Sequence, residues 1–277
     1  MKIDLVKVGI VGLGLVSFSH IKAYQSHQNS IIVAICDLDE VQAKSVSEKF
    51  GVSKYYPSYE AMLKDPEINT IDIATPTYLH ASMSLAAIRA GKNVLCEKPF
   101  CLTIEEGITV CQEAEAKGVS LMVGESYVFM SSIVKARELI DTGHIGKPQQ
   151  IRQRFGAWVE RHGAMDSIQG SNAKNQAWRM DSAKAGGNGF PLMFDHCVHF
   201  FAAAEYLMRD TRIKEIYSMS SNSSQLRAQY EHNNMPGYEL IGDIDVPIMT
   251  WKYEADTCQG VWMRAEYLNG KYDSMNG

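Results

Sequence analysis

The segment Val6-Lys7-Val8-Gly9-Ile10-Val11-Gly12-Leu13-Gly14-Leu15-Val16-Ser17 is the strongest indication of fold in this chain. An apolar run leads directly into closely spaced glycines and then into an amphipathic stretch, which predicts a β-strand, a tight turn and a helix. Gly12 permits the tight turn, and Gly14 permits close approach of the backbone to a phosphate group. Ser17 stands where a third glycine is usual, and its small side chain still allows close helix packing. The residues predicted to line this phosphate site are Gly12, Leu13, Gly14, Leu15 and Val16.

The rest of the first half repeats this alternation of apolar runs and amphipathic stretches. The apolar runs predict strands at Leu5–Val11, Ile31–Cys36, Thr70–Ala74, Asn93–Cys96 and Val119–Val123. The stretches between them predict helices at Ser19–His27, Glu40–Phe50, Leu79–Ala90 and Thr103–Lys117. Because continuous apolar strands alternate with helices, residues 1–123 are predicted to form a Rossmann domain, an α/β fold with a parallel sheet covered on both faces.

The apolar pattern changes near Val123, and the second half is predicted to be an α+β domain. Helical periodicity appears at Ser131–Asp141 and Leu192–Met208. Alternating polar and apolar residues predict strands at Gln149–Val159, Arg212–Ser220, Asp245–Ala255 and Gly260–Tyr267. Residues 160–185 are polar and without a pattern, as expected of a loop over a site. Residues 124–277 are therefore predicted to form an open, mainly antiparallel sheet, and we expect this sequence to lack C-terminal strands that would complete it.

Composition and charge argue against several classes of protein. Apolar residues make up 45% of the chain, and the net charge is −5, from 27 basic and 32 acidic residues. Since no basic stripe is interleaved with aromatic residues, neither nucleic acid nor an anionic membrane is expected as a partner. The longest apolar runs have the length of strands, so no transmembrane segment is predicted. Because residues 1–7 lead directly into the first strand, no signal peptide is expected, and the predicted location is cytoplasmic.

A carboxylate at the end of the second predicted strand indicates which dinucleotide binds. Asp37 comes about twenty residues after the glycines, where dinucleotide-binding folds place an acid that accepts hydrogen bonds from a ribose. Its charge repels a 2′-phosphate, and Leu38 and Asp39 offer no arginine to pair with one. The sequence therefore favours NAD over NADP as cofactor. The alternative for Asp37 is a solvated turn residue.

Further residues supply the acid/base chemistry that an NAD-dependent oxidation of an alcohol needs. Lys98, just after the strand Asn93–Cys96, can donate a hydrogen bond to a developing alkoxide. Asp195 and His199 lie four residues apart, on one face of a predicted helix. An unperturbed imidazole titrates near neutrality, so a histidine at position 199 can take the hydroxyl proton, while Asp195 can pair with the imidazolium. Two points stay open: whether Lys98 or His199 moves the proton, and whether the Asp195–His199 pair is merely a surface pair.

Other motifs near the helical pair have weaker implications. His196, Cys197 and His199 have the composition of a metal site, but Cys197 points away on a helix and no further ligand pair follows, so no metal is predicted. The cysteines form no CxxC pair and are expected to be reduced and structural. Aromatic faces and fork-shaped donors suit polyhydroxylated ligands, so Trp158, Trp178 and Arg179 are candidate substrate contacts. Packing at a domain interface is the alternative for each of them. Tyr127 and His196 are further candidate substrate contacts.

Taken in order, these motifs resemble the glucose–fructose oxidoreductase/inositol dehydrogenase (Gfo/Idh/MocA) family, from Val8 to about Tyr206. Besides the Gly12 loop, the residues that carry the resemblance are Ala74-Thr75-Pro76-Thr77-Tyr78-Leu79-His80, Ala90-Gly91-Lys92, Glu97-Lys98-Pro99, Trp178-Arg179, Gly186-Gly187, Asp195 and His199. The resemblance implies a dinucleotide-binding domain joined to a domain with a large open sheet. One side of that sheet would carry the substrate site, and the other would pack against another subunit.

The resemblance also implies roles for individual residues. Those that would lie along the cofactor near its nicotinamide end are Thr75, Pro76 and His80. Glu97 and Lys98 would then reach the nicotinamide ribose and the substrate. The Lys98–Pro99 peptide is predicted to be cis, because the chain must turn abruptly after the strand for Lys98 to project into the crevice. Val128 stands where many relatives have an arginine, so we expect substrate specificity to differ there.

The expected activity is the oxidation, with NAD, of a secondary hydroxyl group of a sugar, sugar derivative or cyclitol, or the reverse reduction. A homo-oligomer formed through the second-domain sheet is expected. Two alternatives remain open: a redox-neutral sugar-modifying enzyme with tightly bound NAD, and a non-catalytic NAD-binding regulatory protein. The joint presence of Lys98, Asp195 and His199 argues against a regulator, because a sensor has no need of all three.

Overall fold

The chain divides into two compact units. The computed structural model describes residues 5–155, 178, 181–187, 191–208, 212–222, 245–254 and 259–264. Unit 1 comprises the residues up to Gly124 together with Ala183–Gly186, and unit 2 comprises Glu125–Ser182 and the residues from Gly187 onward. No helix among the described residues is long and apolar enough to span a membrane.

Unit 1 is built on a six-stranded parallel sheet with the strand order β3-β2-β1-β4-β5-β6. Its strands are β1 (Val6–Val11), β2 (Ser30–Cys36), β3 (Lys54–Tyr56), β4 (Thr70–Ile73), β5 (Asn93–Glu97) and β6 (Leu121–Gly124). Its main helices are α1 (Leu15–Ser26), α2 (Glu40–Phe50), α3 (Tyr59–Leu63), α4 (His80–Arg89) and α5 (Ile104–Lys117). The chain runs outward from β1 to β3 on one side and to β6 on the other, so the strand order reverses at β1 and β4, where ligands of open α/β sheets bind.

Both faces of this sheet are covered, as continuous apolar strands require. Ile35 packs into one buried cluster, with Ile10 and Ile21. Its neighbours Ala34 and Cys36 point the other way, into the cluster that holds Ile71 and Ile73. Full burial of one such side chain contributes about 1.5–3 kcal/mol, so the alternating faces of β1, β2 and β4 fix the register of the sheet.

Local signals in the sequence begin and end the helices of unit 1. The Asp39 side chain accepts a hydrogen bond from the Gln42 amide at the start of α2. Thr103 and Glu106 form a capping box at the start of α5, an arrangement that satisfies amides otherwise left without partners. The same helix ends at Gly118, whose φ of 64° lies in the left-handed region that glycine adopts without strain.

Unit 2 contains a mixed, mainly antiparallel sheet of four described strands with the order β7-β10-β9-β8. These are β7 (Gln150–Phe155), β8 (Ile213–Asn222), β9 (Asp245–Tyr253) and β10 (Gln259–Arg264). Strand β10 runs parallel to β7 and antiparallel to β9. The helices of the second half are α6 (Ser131–Asp141), α7 (Ser182–Ala185, at the boundary of the units) and α8 (Pro191–Leu207). Trp251 and Tyr253 on β9 are buried in one cluster with Cys197 and Ala204 of α8.

The predicted fold class is confirmed, and the differences have local causes. Strand β3 and helix α3 were not predicted, because elements of three and five residues are too short for a periodic pattern to emerge. Helix α1 begins at Leu15 rather than Ser19, directly at the glycines. The parallel β7–β10 pair was also unforeseen, since alternation along a strand says nothing about the direction of its neighbour. The expectation that C-terminal strands are lacking stays a prediction, because the residues after 264 lie outside the described part of the chain.

Candidate functional site

The glycine loop of unit 1 has room for a phosphate group. Gly12 has a φ of 87°, and a Cβ atom there would lie 2.7 Å from the carbonyl oxygen of Ala74, so no larger residue fits. A Cβ atom at Gly14 would have no other atom within 4 Å. Leu15 and Val16, in the first turn of α1, are 45% and 36% exposed. An accessible helix N-terminus beside an open glycine is the cradle that a pyrophosphate needs, so the loop fits the predicted dinucleotide.

Asp37 holds this loop in place from the end of β2. Its Oδ2 accepts a hydrogen bond of 2.8 Å from the Leu13 amide. Gln42 of α2 donates to the Leu13 carbonyl oxygen at 3.1 Å. Leu13 was predicted to line the phosphate site, and the structure corrects this: its side chain is 2% exposed and its amide is bound to Asp37, so Leu13 anchors the loop. Asp37 itself is half-buried, and the adjacent Leu38 is 89% exposed.

The motif that follows β4 contacts the glycine loop and the turn after β5. A Cβ atom at Gly12 would lie 2.9 Å from the Thr75 side chain, which places Thr75 against the loop. His80 was predicted to lie along the cofactor, but it is buried, with Nδ1 2.7 Å from the Pro99 oxygen and Nε2 2.8 Å from the Thr75 oxygen. Burial lowers the pKa of His80, against the opposing effect of these carbonyl groups. Its ring therefore ties together the chain segments that follow β4 and β5.

The Lys98–Pro99 peptide after β5 is cis, as predicted. Glu97 is buried, and its Oε2 accepts a hydrogen bond of 3.2 Å from the Lys98 amide. Its Oε1 lies 3.1 Å from Nε2 of His20. The resemblance placed Glu97 at the nicotinamide ribose, whereas the structure gives both carboxylate oxygens partners within unit 1. Lys98 is half-buried.

The same histidine contacts a second carboxylate. Nδ1 of His20 lies 2.9 Å from Oδ2 of Asp72, which is fully buried in β4. Burial disfavours the charged ring, but the hydrogen bonds and charges of Asp72 and Glu97 outweigh it and raise the pKa of His20 to about 10. Neither His20 nor Asp72 was singled out from the sequence. The available signal was a carboxylate in the middle of an apolar strand, Thr70-Ile71-Asp72-Ile73, because such a group needs a partner.

In unit 2, His199 on α8 is held by a carboxylate and an aromatic ring. Its Nδ1 lies 2.8 Å from each carboxylate oxygen of Glu125. Oε1 of Glu125 also accepts a 2.8 Å hydrogen bond from the Tyr127 amide. The Tyr127 ring stacks on the imidazole, with 4.3 Å between centroids and 13° between planes. Nε2 of His199 has no hydrogen-bond partner among the residues that the structure describes.

This arrangement corrects the predicted partner of His199. Asp195 does lie on α8 one turn before it and is only 2% exposed, but the Nδ1 of His199 faces Glu125. Oδ2 of Asp195 lies 3.8 Å from Nδ1 of His196. The i,i+4 spacing correctly places two polar residues on one face, but it does not determine which way a ring turns. Glu125 could have been suspected from its place directly after β6, as Glu97 ends β5.

The remaining predicted site residues are distributed as follows. Tyr127 covers one face of the His199 ring, and the His196 side chain is 34% exposed. Trp158 and Arg179 lie outside the described residues. Within the described ranges, no group of His, Cys, Asp and Glu residues is arranged to hold a metal ion. The cysteines described, at positions 36, 96, 101, 111 and 197, are free thiols, and all except Cys111 are buried.

Comparison with known proteins agrees with this architecture. Residues 6–125 match a family described as an oxidoreductase family with an NAD-binding Rossmann fold, and residues 133–262 match the GFO/IDH/MocA C-terminal domain. The fold resembles that of myo-inositol 2-dehydrogenase from Lactobacillus plantarum, with a TM-score of 0.75 at 22% identity over 95% of this chain and 70% of that one. It also resembles scyllo-inositol dehydrogenase from Lactobacillus casei with bound NAD(H) and scyllo-inositol, with a TM-score of 0.74 at 21% identity over 95% and 71%.

Relatives in sequence cover shorter parts of the chain. Myo-inositol 2-dehydrogenase of Thermotoga maritima is 29% identical over 146 residues, which are 53% of this chain and 44% of that protein. D-apiose dehydrogenase of Paraburkholderia graminis is 32% identical over 149 residues, 54% of this chain and 40% of that protein. The matched part thus spans less than half the length of these relatives. Since both domain descriptions match in order, the chain belongs to the Gfo/Idh/MocA family of oxidoreductases.

Proposed function

We propose that this chain is an NAD-dependent oxidoreductase that oxidises a secondary hydroxyl group of a sugar, sugar derivative or cyclitol. The observation that carries the proposal is the pair formed by His199 and Glu125, in which the carboxylate contacts Nδ1 and leaves Nε2 without a partner among the described residues. Support comes from the open glycine cradle of unit 1 and from relatives named as dehydrogenases of inositol and apiose.

The cofactor in this proposal is NAD. The backbone amides of Gly14 and of the first turn of α1 would hold its pyrophosphate. Asp37 would accept hydrogen bonds from the adenosine ribose and repel a 2′-phosphate. When bound, NAD supplies the acceptor for the hydride that leaves the substrate carbon.

His199 is the proposed base that takes the proton of the substrate hydroxyl. A neutral imidazole carries one proton, and the Glu125 carboxylate at Nδ1 holds that proton there, so Nε2 presents its lone pair. When Nε2 takes a second proton, the same carboxylate stabilises the imidazolium, the role that a carboxylate has behind a catalytic histidine in hydrolases. The stacked Tyr127 ring limits rotation of the imidazole. The geometry therefore favours His199 over Lys98 as the group that moves the proton.

Lys98 is the proposed donor to the oxygen on which negative charge develops. Its ammonium group would stabilise the alkoxide as the hydride leaves. Asp195, which is buried on α8, is not assigned the role of pairing with His199.

The test is reduction of NAD measured against a panel of sugars, sugar derivatives and cyclitols. Removal of a general base costs about 10²–10⁴-fold in rate, so His199→Ala should lower kcat by that order. Lys98→Ala removes a donor to the developing alkoxide and should lower kcat by about 10²–10³-fold. Turnover that survives both substitutions unchanged would refute the assigned roles. NAD that co-purifies with the chain, resists dialysis and yields no net NADH would instead indicate redox-neutral chemistry. Binding of NAD without turnover of any substrate would indicate a regulatory protein.

A further inference from the structure

A histidine, an aspartate and a glutamate form a buried network beneath the turn that carries Lys98. His20 lies on α1, Asp72 in the middle of β4 and Glu97 at the end of β5. The ring nitrogens of His20 lie 2.9 Å from Asp72 and 3.1 Å from Glu97. The three side chains are 17%, 0% and 11% exposed, so little water screens their charges.

The geometry favours the charged form of His20. A neutral imidazole donates from one nitrogen only, and its other nitrogen would then direct a lone pair at a carboxylate oxygen. Two carboxylates at hydrogen-bond distance are satisfied only when both nitrogens donate, which requires the imidazolium. The pKa of His20, raised to about 10 by these partners against the effect of burial, agrees with this charge state.

Stability alone does not account for this network. Buried ion pairs are often no more stabilising than well-packed apolar residues of the same volume, because taking charges out of water is costly. The network is also incompletely satisfied, since Oδ1 of Asp72 has no hydrogen-bond partner among the described residues. This network is costly to bury and lies close to a candidate site. A role in positioning a neighbouring group therefore explains it better than stability does.

The network of His20 and Asp72 fixes the position of the Glu97 carboxylate. One oxygen of Glu97 faces His20, and the other accepts a hydrogen bond of 3.2 Å from the Lys98 amide. Gly124 also approaches this carboxylate, because a Cβ atom there would lie 3.1 Å from Oε1 of Glu97 and press against it. The side chain is thus confined by the imidazole, by the Lys98 backbone and by the bare backbone of Gly124.

We propose that His20 is a positioning residue: a permanent imidazolium, with Asp72 as its counter-ion, that fixes the Glu97 carboxylate and through it the backbone of Lys98. In this role His20 touches neither substrate nor cofactor. The consequence for turnover rests on the proposed function, but the positioning of Lys98 is measurable without any substrate.

The first test measures hydrogen exchange at the Lys98 amide in wild-type protein, His20→Gln and Asp72→Asn. Loss of the hydrogen bond to Glu97 should make this amide exchange at least about tenfold faster in both variants, since about 1.4 kcal/mol corresponds to a factor of ten. The matched control is Lys92→Met, which removes another buried cation of unit 1, one that donates to the Asp65 and Ile68 oxygens at 2.9 and 2.6 Å. This control should unfold at a lower temperature with exchange at Lys98 unchanged.

The second test is the pH profile of kcat. In wild-type protein the network keeps its charge through the assay range, and Asp72→Asn should introduce a new inflection between 6.5 and about 10, as His20 loses a partner and begins to titrate. Three other titratable groups face the network: Tyr24, whose pKa is raised by burial and by the charge of Asp72, Cys96, whose pKa is raised by burial and by the charges of Glu97 and Asp72, and His80, whose pKa is lowered by burial. All three shifts move titration away from this window, so none of these groups should produce the inflection.

The outcomes distinguish the positioning role of His20 from the proposed oxidoreductase function. Unchanged exchange at Lys98 in folded His20→Gln protein would overturn the positioning role, whatever the enzyme does. An imidazole nitrogen spectrum in which His20 is neutral at pH 8 would overturn it as well. If wild-type protein turns over no substrate while exchange at Lys98 accelerates in both variants, the proposed function fails and the positioning role stands.

Discussion

Glu125 determines which nitrogen of His199 carries the proton, and this makes it a sensitive target. We expect Glu125→Gln to fold normally but to lose activity, because the amide group can donate to Nδ1 and so favours the wrong tautomer. In a serine protease the equivalent change costs about 10⁴-fold in kcat, and we expect a loss of about 10²–10⁴-fold here. The measurement is kcat with the best substrate of the panel. The control is Glu138→Gln, the same substitution at an exposed residue of unit 2 whose partner is Lys135. Equal activity of Glu125→Gln and wild-type protein would show that Glu125 does not orient a catalytic base.

Asp37 has two roles: it accepts a hydrogen bond that holds the glycine loop, and it is expected to select NAD over NADP. Asp37→Asn keeps an oxygen that can accept the Leu13 amide, but it removes the charge that repels a 2′-phosphate. We therefore expect the preference for NAD over NADP, as a ratio of kcat/KM values, to fall by about tenfold or more, since one lost charge interaction of about 1.4 kcal/mol has that effect. Asp39→Asn is the control, because Asp39 caps α2 instead. A preference that changes equally in both variants would assign the effect to net charge rather than to the ribose site.

The packing of β9 against β10 depends on one glycine. A Cβ atom at Gly260 would lie 1.8 Å from the indole of Trp251, which is 2% exposed and central to the core of unit 2. Since overpacking of a core costs about 1–3 kcal/mol and occasionally more, we expect Gly260→Ala to lower the free energy of unfolding by at least that amount. Chemical denaturation followed by tryptophan fluorescence measures it.

The control for this substitution is Gly118→Ala at the end of α5. Gly118 has a φ of 64° and open space around it, so alanine there meets only backbone strain, about 1–2 kcal/mol. A second variant, Gly260→Ala with Trp251→Leu, should recover part of the loss, because it opens the space that the new methyl group needs. If the single and double variants were equally unstable, the steric explanation would fail.

The outward face of the unit 2 sheet presents apolar side chains to solvent. Tyr217, Met219 and Ile248 are 62%, 74% and 42% exposed, and Met219 pairs with Ile248 across β8 and β9 on the face opposite Trp251. We propose that a second copy of this chain covers this face, as expected from the family resemblance, because contiguous exposed apolar surface marks association sites. Met219→Glu with Ile248→Lys should then yield monomers in light scattering after gel filtration. Ile104→Lys, on an exposed apolar residue of unit 1, should leave the assembly unchanged. A wild-type chain that is monomeric at every concentration would contradict the proposal.

Patterns confined to a few neighbouring residues were enough to predict much of this molecule. The alternation of apolar runs and amphipathic stretches places β1, β2, β4, β5 and β6 and the long helices to within a few residues, because burial of a strand or helix face leaves a period in the sequence. Gly12 was predicted at the tight turn, and its φ of 87° bears this out. The fold class followed from these local signals, as did the family, from motifs that each span a few residues.

The partners of the site residues followed from contacts between distant parts of the chain. His199 was expected to pair with Asp195 one turn away, but its carboxylate partner is 74 residues away at Glu125. The role of Glu97 at the nicotinamide ribose stays a prediction, but its contact with His20, 77 residues away, was not predicted. A periodic pattern specifies which face of an element is buried, whereas the strand order specifies which elements become neighbours. Here β4 and β5 follow β1 in the sheet, so His20 on α1 meets Asp72 and Glu97, and no spacing along the chain encodes that meeting.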